Sequence, residues 1–181
     1  FPSINFNHAI VVLRINDEFI FMDPTSDTTG FGDIPLPDQG RSALLFLEKD
    51  YKIIETPVSK ENGIAYSMDI DIGQDQKTTI RRKVLPSGYF AYAYRSYLKY
   101  SHPSRIKENI HQKMIEISPF SRFLDYEIKY EEDLDKRPRL AYTFLADDFL
   151  KPAGVFRVLG NLDQIGLKDS LISKDERNFP I

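Results

Sequence analysis

Hydrophobic and polar positions follow different rhythms along this chain, and those rhythms separate strands from helices. Asn7 to Ile15 is an apolar, β-branched run, and Glu18 to Asp23 is a second, shorter one. Between them Asn16 and Asp17 tolerate the positive φ angles of a tight turn, so the pattern predicts a β-hairpin. Pro24 to Gly40 is rich in Pro, Gly, Asp and Thr and reads as a loop. At roughly 17 residues it exceeds the usual connection, and ordered loops of that length tend to be functional or to wrap a core. Ser42 to Leu47 and Tyr51 to Glu55 read as strands around Lys49-Asp50. Pro57 to Gly63 is polar and is the candidate boundary between a first unit, residues 1–57, and a second, residues 58–181.

Beyond that boundary Ile64, Tyr66, Met68, Ile70 and Ile72 alternate with Ser67, Asp69 and Asp71. Period two is the mark of a half-buried strand. Lys77 to Leu85 is its expected antiparallel neighbour, and Pro86-Ser87-Gly88 is expected to break that pattern. Tyr89 to Tyr100 fits a helix, with Phe90, Tyr94 and Tyr97 on one stripe, better than a strand. Ile106, Ile110, Met114 and Ile117 recur at intervals of three and four, which gives an amphipathic helix. Pro103 suits its first turn, His102 or Ser101 its cap, and Pro119 its end. Phe123 to Glu131, Arg139 to Ala146 and Val155 to Leu159 read as further strands, punctuated by Pro152, Gly154 and Gly160. The expected class is α+β: mainly antiparallel β-sheet with a helical pair between two groups of strands.

Composition narrows the chemistry. The 181 residues are 41% hydrophobic, 28% charged and 13% aromatic, a globular balance with no sign of disorder. A chain of this length buries about 70% of its unfolded surface and needs no staples. A net charge of −3 gives no electrostatic reason to expect nucleic acid as a partner. No apolar run approaches the ~18 residues of a membrane span. There is no cysteine, which excludes disulfides, Cys-ligated metal and a thiol nucleophile within the chain. With three histidines, an all-His metal site would need every one, and no cofactor or metal motif is present. The chain opens on Phe1 rather than Met and enters an apolar strand almost at once, which points to a piece of a longer polypeptide.

The first hairpin places the candidate chemistry. With Asn16-Asp17 at the turn, Ile15 opposes Glu18, Leu13 opposes Ile20 and Val11 opposes Met22. Continued outward, Ile10 faces Asp23 and His8 faces Thr25. His8 and Asp23 then share one face as diagonal neighbours, with backbones roughly 7–8 Å apart. A carboxylate beside an imidazole is the orienting half of a nucleophilic triad: it bonds one ring nitrogen and leaves the other free to serve a nucleophile. The simpler alternative is that Asp23-Pro24 starts a turn and His8 is one satisfied polar residue on a strand.

The segment Phe6-Asn7-His8-Ala9-Ile10-Val11-Val12, followed by Phe21-Met22-Asp23-Pro24-Thr25, resembles the second half of the transglutaminase-like, papain-related core. Members carry an F-N-H-A strand and then an apolar-D-P-T strand end. The resemblance implies that His8 is the general base and Asp23 its orienting acid in a Cys-His-Asp triad. Gly32-Asp33-Ile34-Pro35, Gln39-Gly40-Arg41, Gly88 with Arg95, and Arg177 with Pro180 resemble bacterial multidomain members of the group. The implied parent performs acyl transfer or amide hydrolysis on protein or peptide substrates. Its Cys would come from an upstream part of the same polypeptide, the partner this chain needs. Similar proteins are often exported, which makes a periplasmic or extracellular location the expectation. Residues 58–181 would then be an appended domain of unknown role. The competing class is a non-catalytic binding or structural module, in which the appended part contacts a partner or covers the cleft.

Other candidates read more simply. Ser3 sits in no nucleophile motif, and His102 and His111 read as cap or solvent-facing residues rather than metal ligands. Asp69, Asp71 and Asp75 lack calcium-loop spacing. In Arg81-Arg82-Lys83, strand alternation sends Arg82 to the face opposite its neighbours, against a phosphate patch. Glu131-Glu132-Asp133 with Asp135 reads as a hydrated turn, and the aromatic density from Tyr89 to Tyr100 as core packing.

Overall fold

The computed structural model describes residues 6–74, 77–147 and 149–159. Two short hairpins come first: β1 (Val11–Ile15) with β2 (Glu18–Met22), and β3 (Ser42–Phe46) with β4 (Tyr51–Glu55). A single 3-10 turn, Leu36–Asp38, lies in the loop between them. Two long strands follow, β5 (Gly63–Ile72) and β6 (Thr78–Ser87), then helices α1 (Tyr89–Tyr100) and α2 (Pro103–Ile117). The strands β7 (Ser121–Lys129) and β8 (Arg139–Ala146) join β5 and β6 in one antiparallel sheet of order β5-β6-β8-β7. A last hairpin pairs β9 (Leu150–Ala153) with β10 (Phe156–Leu159). The class is α+β, with the helical pair between groups of antiparallel strands.

The core lies between the four-stranded sheet and the two helices. Ile106, Ile110, Met114 and Ile117 of α2 are all buried, as the three-and-four spacing requires. They cluster with Ile80 and Val84 of β6 and with Leu140, Tyr142 and Phe144 of β8. Fully burying such side chains contributes about 1.5–3 kcal/mol each. Ile64, Met68 and Ile70 of β5 pack against the cluster from the same face, as their alternation predicts. The opposite face of the sheet is charged: Lys83 pairs with Asp69 at 2.8 Å and Arg81 with Glu127 at 3.5 Å. Arg82 turns the other way, into the core, where it lies 3.0 Å from the Tyr142 hydroxyl and 4.3 Å from the centre of the Tyr66 ring.

Local chemistry starts and stops the helices. Asn62 Oδ1 accepts the Tyr89 N–H at 2.8 Å and caps α1 from outside the helix. Pro103 occupies the first turn of α2, and the His102 ring accepts from the Ser104 N–H at 3.3 Å. That makes His102 a cap, and His111 lies on the exposed side of α2.

Four sequence expectations change. Strand β6 continues through Pro86 and Ser87 instead of breaking there. Its ladder with β8 ends at Val84, so the missing Pro86 N–H costs no bond to β8. Pro152 likewise lies inside a strand, β9, in a hairpin with no third member among the described residues. Val155 forms part of the turn to β10 rather than the start of the strand. On α1 the fully buried side chains are Arg95 and Leu98, while Phe90 stays largely exposed and Tyr94 and Tyr97 pack at the core's edge.

Candidate functional site

Asn16 and Asp17 adopt φ angles of 50° and 66°, the two positive values a two-residue primed hairpin turn requires. The resulting register is Val11↔Met22, Leu13↔Ile20 and Ile15↔Glu18. Just beyond the ladder the chain brings His8 and Asp23 into contact, with Nε2 and Oδ2 3.1 Å apart. The Asp23 side chain is 4% exposed and that of His8 35%.

Asp23 serves two structures at once. Its Oδ1 accepts the Thr25 N–H at 3.0 Å and the Thr25 hydroxyl at 2.7 Å, closing a turn over Pro24. Its Oδ2 faces His8. Burial alone would push the carboxyl up, but the bonds from Thr25 and His8 outweigh it and hold Asp23 below its ordinary value. The turn over Pro24 and the contact with His8, which the sequence offers as alternatives, therefore coexist on one side chain. With Oδ1 fixed by Thr25, Oδ2 has little freedom to leave the imidazole.

A second carboxylate joins them. Asp38 Oδ2 lies 3.7 Å from the same His8 Nε2. It comes from the 3-10 turn, which is staked at several points. The buried Thr56 hydroxyl donates to the Asp38 carbonyl and accepts the Arg41 N–H at 2.9 Å. Gln39 donates to the Ile34 carbonyl at 2.9 Å and accepts from the Ser59 N–H at 3.1 Å. The Arg41 guanidinium bonds the Pro37 carbonyl at 2.8 Å. Sequence reasoning does not single out Asp38. It stands in Pro37-Asp38-Gln39-Gly40, which carries turn signals and no periodicity that would aim a side chain at His8.

These three residues border a cleft of about 1050 Å³ between the two hairpins. Ile10, Val12, Phe21, Leu45 and Ile54 supply apolar walls, and Arg41 a cation. Tyr92 reaches the cleft from α1, so the second half of the chain contributes to its lining. Arg95, one turn further along α1, is 4% exposed. Its guanidinium donates to the carbonyls of Thr28 at 3.0 Å, Asp133 at 2.9 Å and Lys136. It thereby ties the loop that follows Asp23 to α1 and to the β7–β8 connection.

The remaining sequence candidates lie elsewhere. His102 caps α2 and His111 lies on it, and Asp69 and Asp71 are on the charged sheet face, with Asp69 paired to Lys83. Asp133 and Lys136 close on each other at 2.8 Å in the β7–β8 turn. Ser3, Asp75, Arg177 and Pro180 fall outside the described residues. The chain has no cysteine, so a thiol nucleophile beside His8 and Asp23 is not among its residues. Among the described residues no helix is long and apolar enough to cross a membrane. No protein-family model matches the chain, and neither a curated protein nor a solved structure does.

Proposed function

We propose that this chain carries the base and the orienting acid of a transglutaminase-like Cys-His-Asp triad, with the thiol supplied from outside these 181 residues. One observation carries the reading: Asp23 contacts His8 Nε2 at 3.1 Å at the border of the cleft, so the other ring nitrogen, Nδ1, is not engaged by this acid and can serve a nucleophile. In the complete site a Cys thiolate attacks the carbonyl carbon of a protein or peptide amide. The imidazolium of His8 donates its proton to the departing amine as the C–N bond breaks, which leaves a thioester. Water or a second amine then attacks that thioester, giving its proton to His8, and the C–S bond breaks to release the thiolate, which restores the thiolate–imidazolium pair. Asp23 stabilises the imidazolium at each stage. This chain alone performs no turnover on this reading, and thiol-free amidase activity in it would overturn the proposal.

The test uses the full-length gene product. Iodoacetamide labelling, mapped by mass spectrometry, is expected to find one hyper-reactive Cys upstream of Phe1 whose labelling slows when His8 is changed to Ala. Labelling indifferent to His8, or no reactive Cys, sinks the triad. A second reading, a non-catalytic binding module, is favoured by the apolar surface of the β3–β4 hairpin. Phe46 is 78% and Ile53 77% exposed there, in neighbouring cross-strand pairs on one face of the hairpin. Tyr92 at the cleft supports a variant in which residues from 58 onward cover it.

A further inference from the structure

His8, Asp23 and Asp38 present three ligand atoms that all lie within 4.8 Å of one another. A triad needs one acid beside the imidazole. Here two carboxylates converge on the same ring nitrogen, at 3.1 and 3.7 Å. A protonated His8 would balance only one of them, so the group keeps an excess negative charge in a partly buried corner of the cleft. A tetrahedral metal with bonds of about 2.0–2.1 Å sets its ligand atoms about 3.3 Å apart. Both distances from His8 Nε2 bracket that spacing. The third pair, two carboxylate oxygens, repel each other in the absence of a cation and would be drawn together by one.

We propose that His8 Nε2, Asp23 Oδ2 and Asp38 Oδ2 form a binding site for a divalent transition metal of zinc's type, with a fourth coordination position open to the cleft. One imidazole and two carboxylates form a donor set that suits zinc better than calcium, which prefers six or more oxygens. Two features preorganise it. Thr25 fixes the far oxygen of Asp23, leaving Oδ2 to the metal. Thr56 holds the main chain of Asp38, so its carboxylate does not have to be gathered from a free loop. Metal binding takes a neutral Nε2 and releases any proton shared there with Asp23. The metal and the His8–Asp23 hydrogen bond therefore exclude each other. The proposal does not rest on the acyl-transfer reading, because binding is measured without turnover.

The experiment is a Zn²⁺ titration of this chain in competition with a chromogenic chelator, with ¹H–¹⁵N spectra of the histidine side chains recorded in parallel. One zinc per chain is expected, with the largest nitrogen shift at His8 Nε2. Asp38→Asn should weaken binding at least about tenfold, the loss that even an outer-shell partner causes. His8→Ala should abolish it, and His111→Ala should leave it unchanged. Circular dichroism checks that each variant is folded. Equal affinity in Asp38→Asn and the parent chain, loss of binding in His111→Ala, or no saturable binding at millimolar zinc would each overturn the assignment.

Discussion

Replacing Arg95 by Met tests whether one buried guanidinium joins the two halves of the chain. The side chain donates to three backbone carbonyls, two of them in the β7–β8 connection and one in the loop that follows Asp23. Hydrogen bonds from a charged group contribute a net of about 1.5–3 kcal/mol each. Three of them sum to about 4.5–9 kcal/mol before the cost of burying the cation is set against them. That cost is visible in the direction of the Arg95 shift: burial lowers it, and Asp133 and Asp33 only partly offset the effect. The Nε atom is moreover buried without a partner among the described residues. Met fills similar volume without the charge but leaves the carbonyls unpaired. Each carbonyl left unpaired costs about 1–3 kcal/mol, and with the relief of burying the cation set against three of them we expect a net loss of about 3–5 kcal/mol. For a chain of this size that corresponds to a fall in Tm of about 6–20 °C. Urea denaturation should show a lower midpoint at constant slope. Arg95→Lys keeps the charge but offers a point donor in place of a fork, and should recover only part of the loss. A loss under about 1 kcal/mol for Arg95→Met would refute the reasoning, because the three contacts would then be energetically idle.

Two further substitutions test the supports of the site and of α1. Gly88 has φ 56°, and a Cβ there would sit 2.4 Å from Asn62 Oδ1, the atom that caps α1. Gly88→Ala should therefore cost about 2–4 kcal/mol in chemical denaturation, from backbone strain and a displaced cap together; a neutral result would mean that Asn62 moves without consequence. The folded Asp23 carboxyl titrates below its unfolded value, so its stabilisation is present above that value and is lost as pH falls through the folded one. Thr25→Val removes one of the two Thr25 bonds that lower it and should raise the Asp23 pKa in an NMR titration. The same variant should lose less stability than the parent as pH falls below about 4; an unshifted titration would show that the backbone bond alone sets the value.

The sequence and the structure agree where local geometry decides the outcome. Asn16-Asp17 fixes a turn with two positive φ angles, and the turn fixes the register of five pairs. Once the register is set, the meeting of His8 and Asp23 follows by counting. The α2 stripe and the β5 alternation are legible for the same reason, since each is a periodicity imposed by one buried face. Asp38 is not legible because its position depends on how a loop is staked by Thr56, 18 residues from Asp38, and by Ser59, 20 residues from Gln39. Arg95 is hidden differently. The sequence marks it only beside Gly88, and its burial follows from the approach of two distant loops, which gives its guanidinium carbonyls to bind. Pro86 and Pro152 mislead because a proline is read as a breaker, whereas at each site one flank of the strand is free of a ladder.

The two hairpins that wall the cleft each consist of two strands of five residues, whereas the main sheet has four strands under two helices. A lone hairpin is marginal in water. Backbone amides of β1–β4 should therefore exchange with solvent deuterium through local openings, while those of β6 and β8 wait for global unfolding. His8, Asp23 and Asp38 thus ride on elements that open more readily than the main sheet. Whatever fills the cleft would be recorded there first, as slower deuterium uptake in the hairpins over an unchanged sheet.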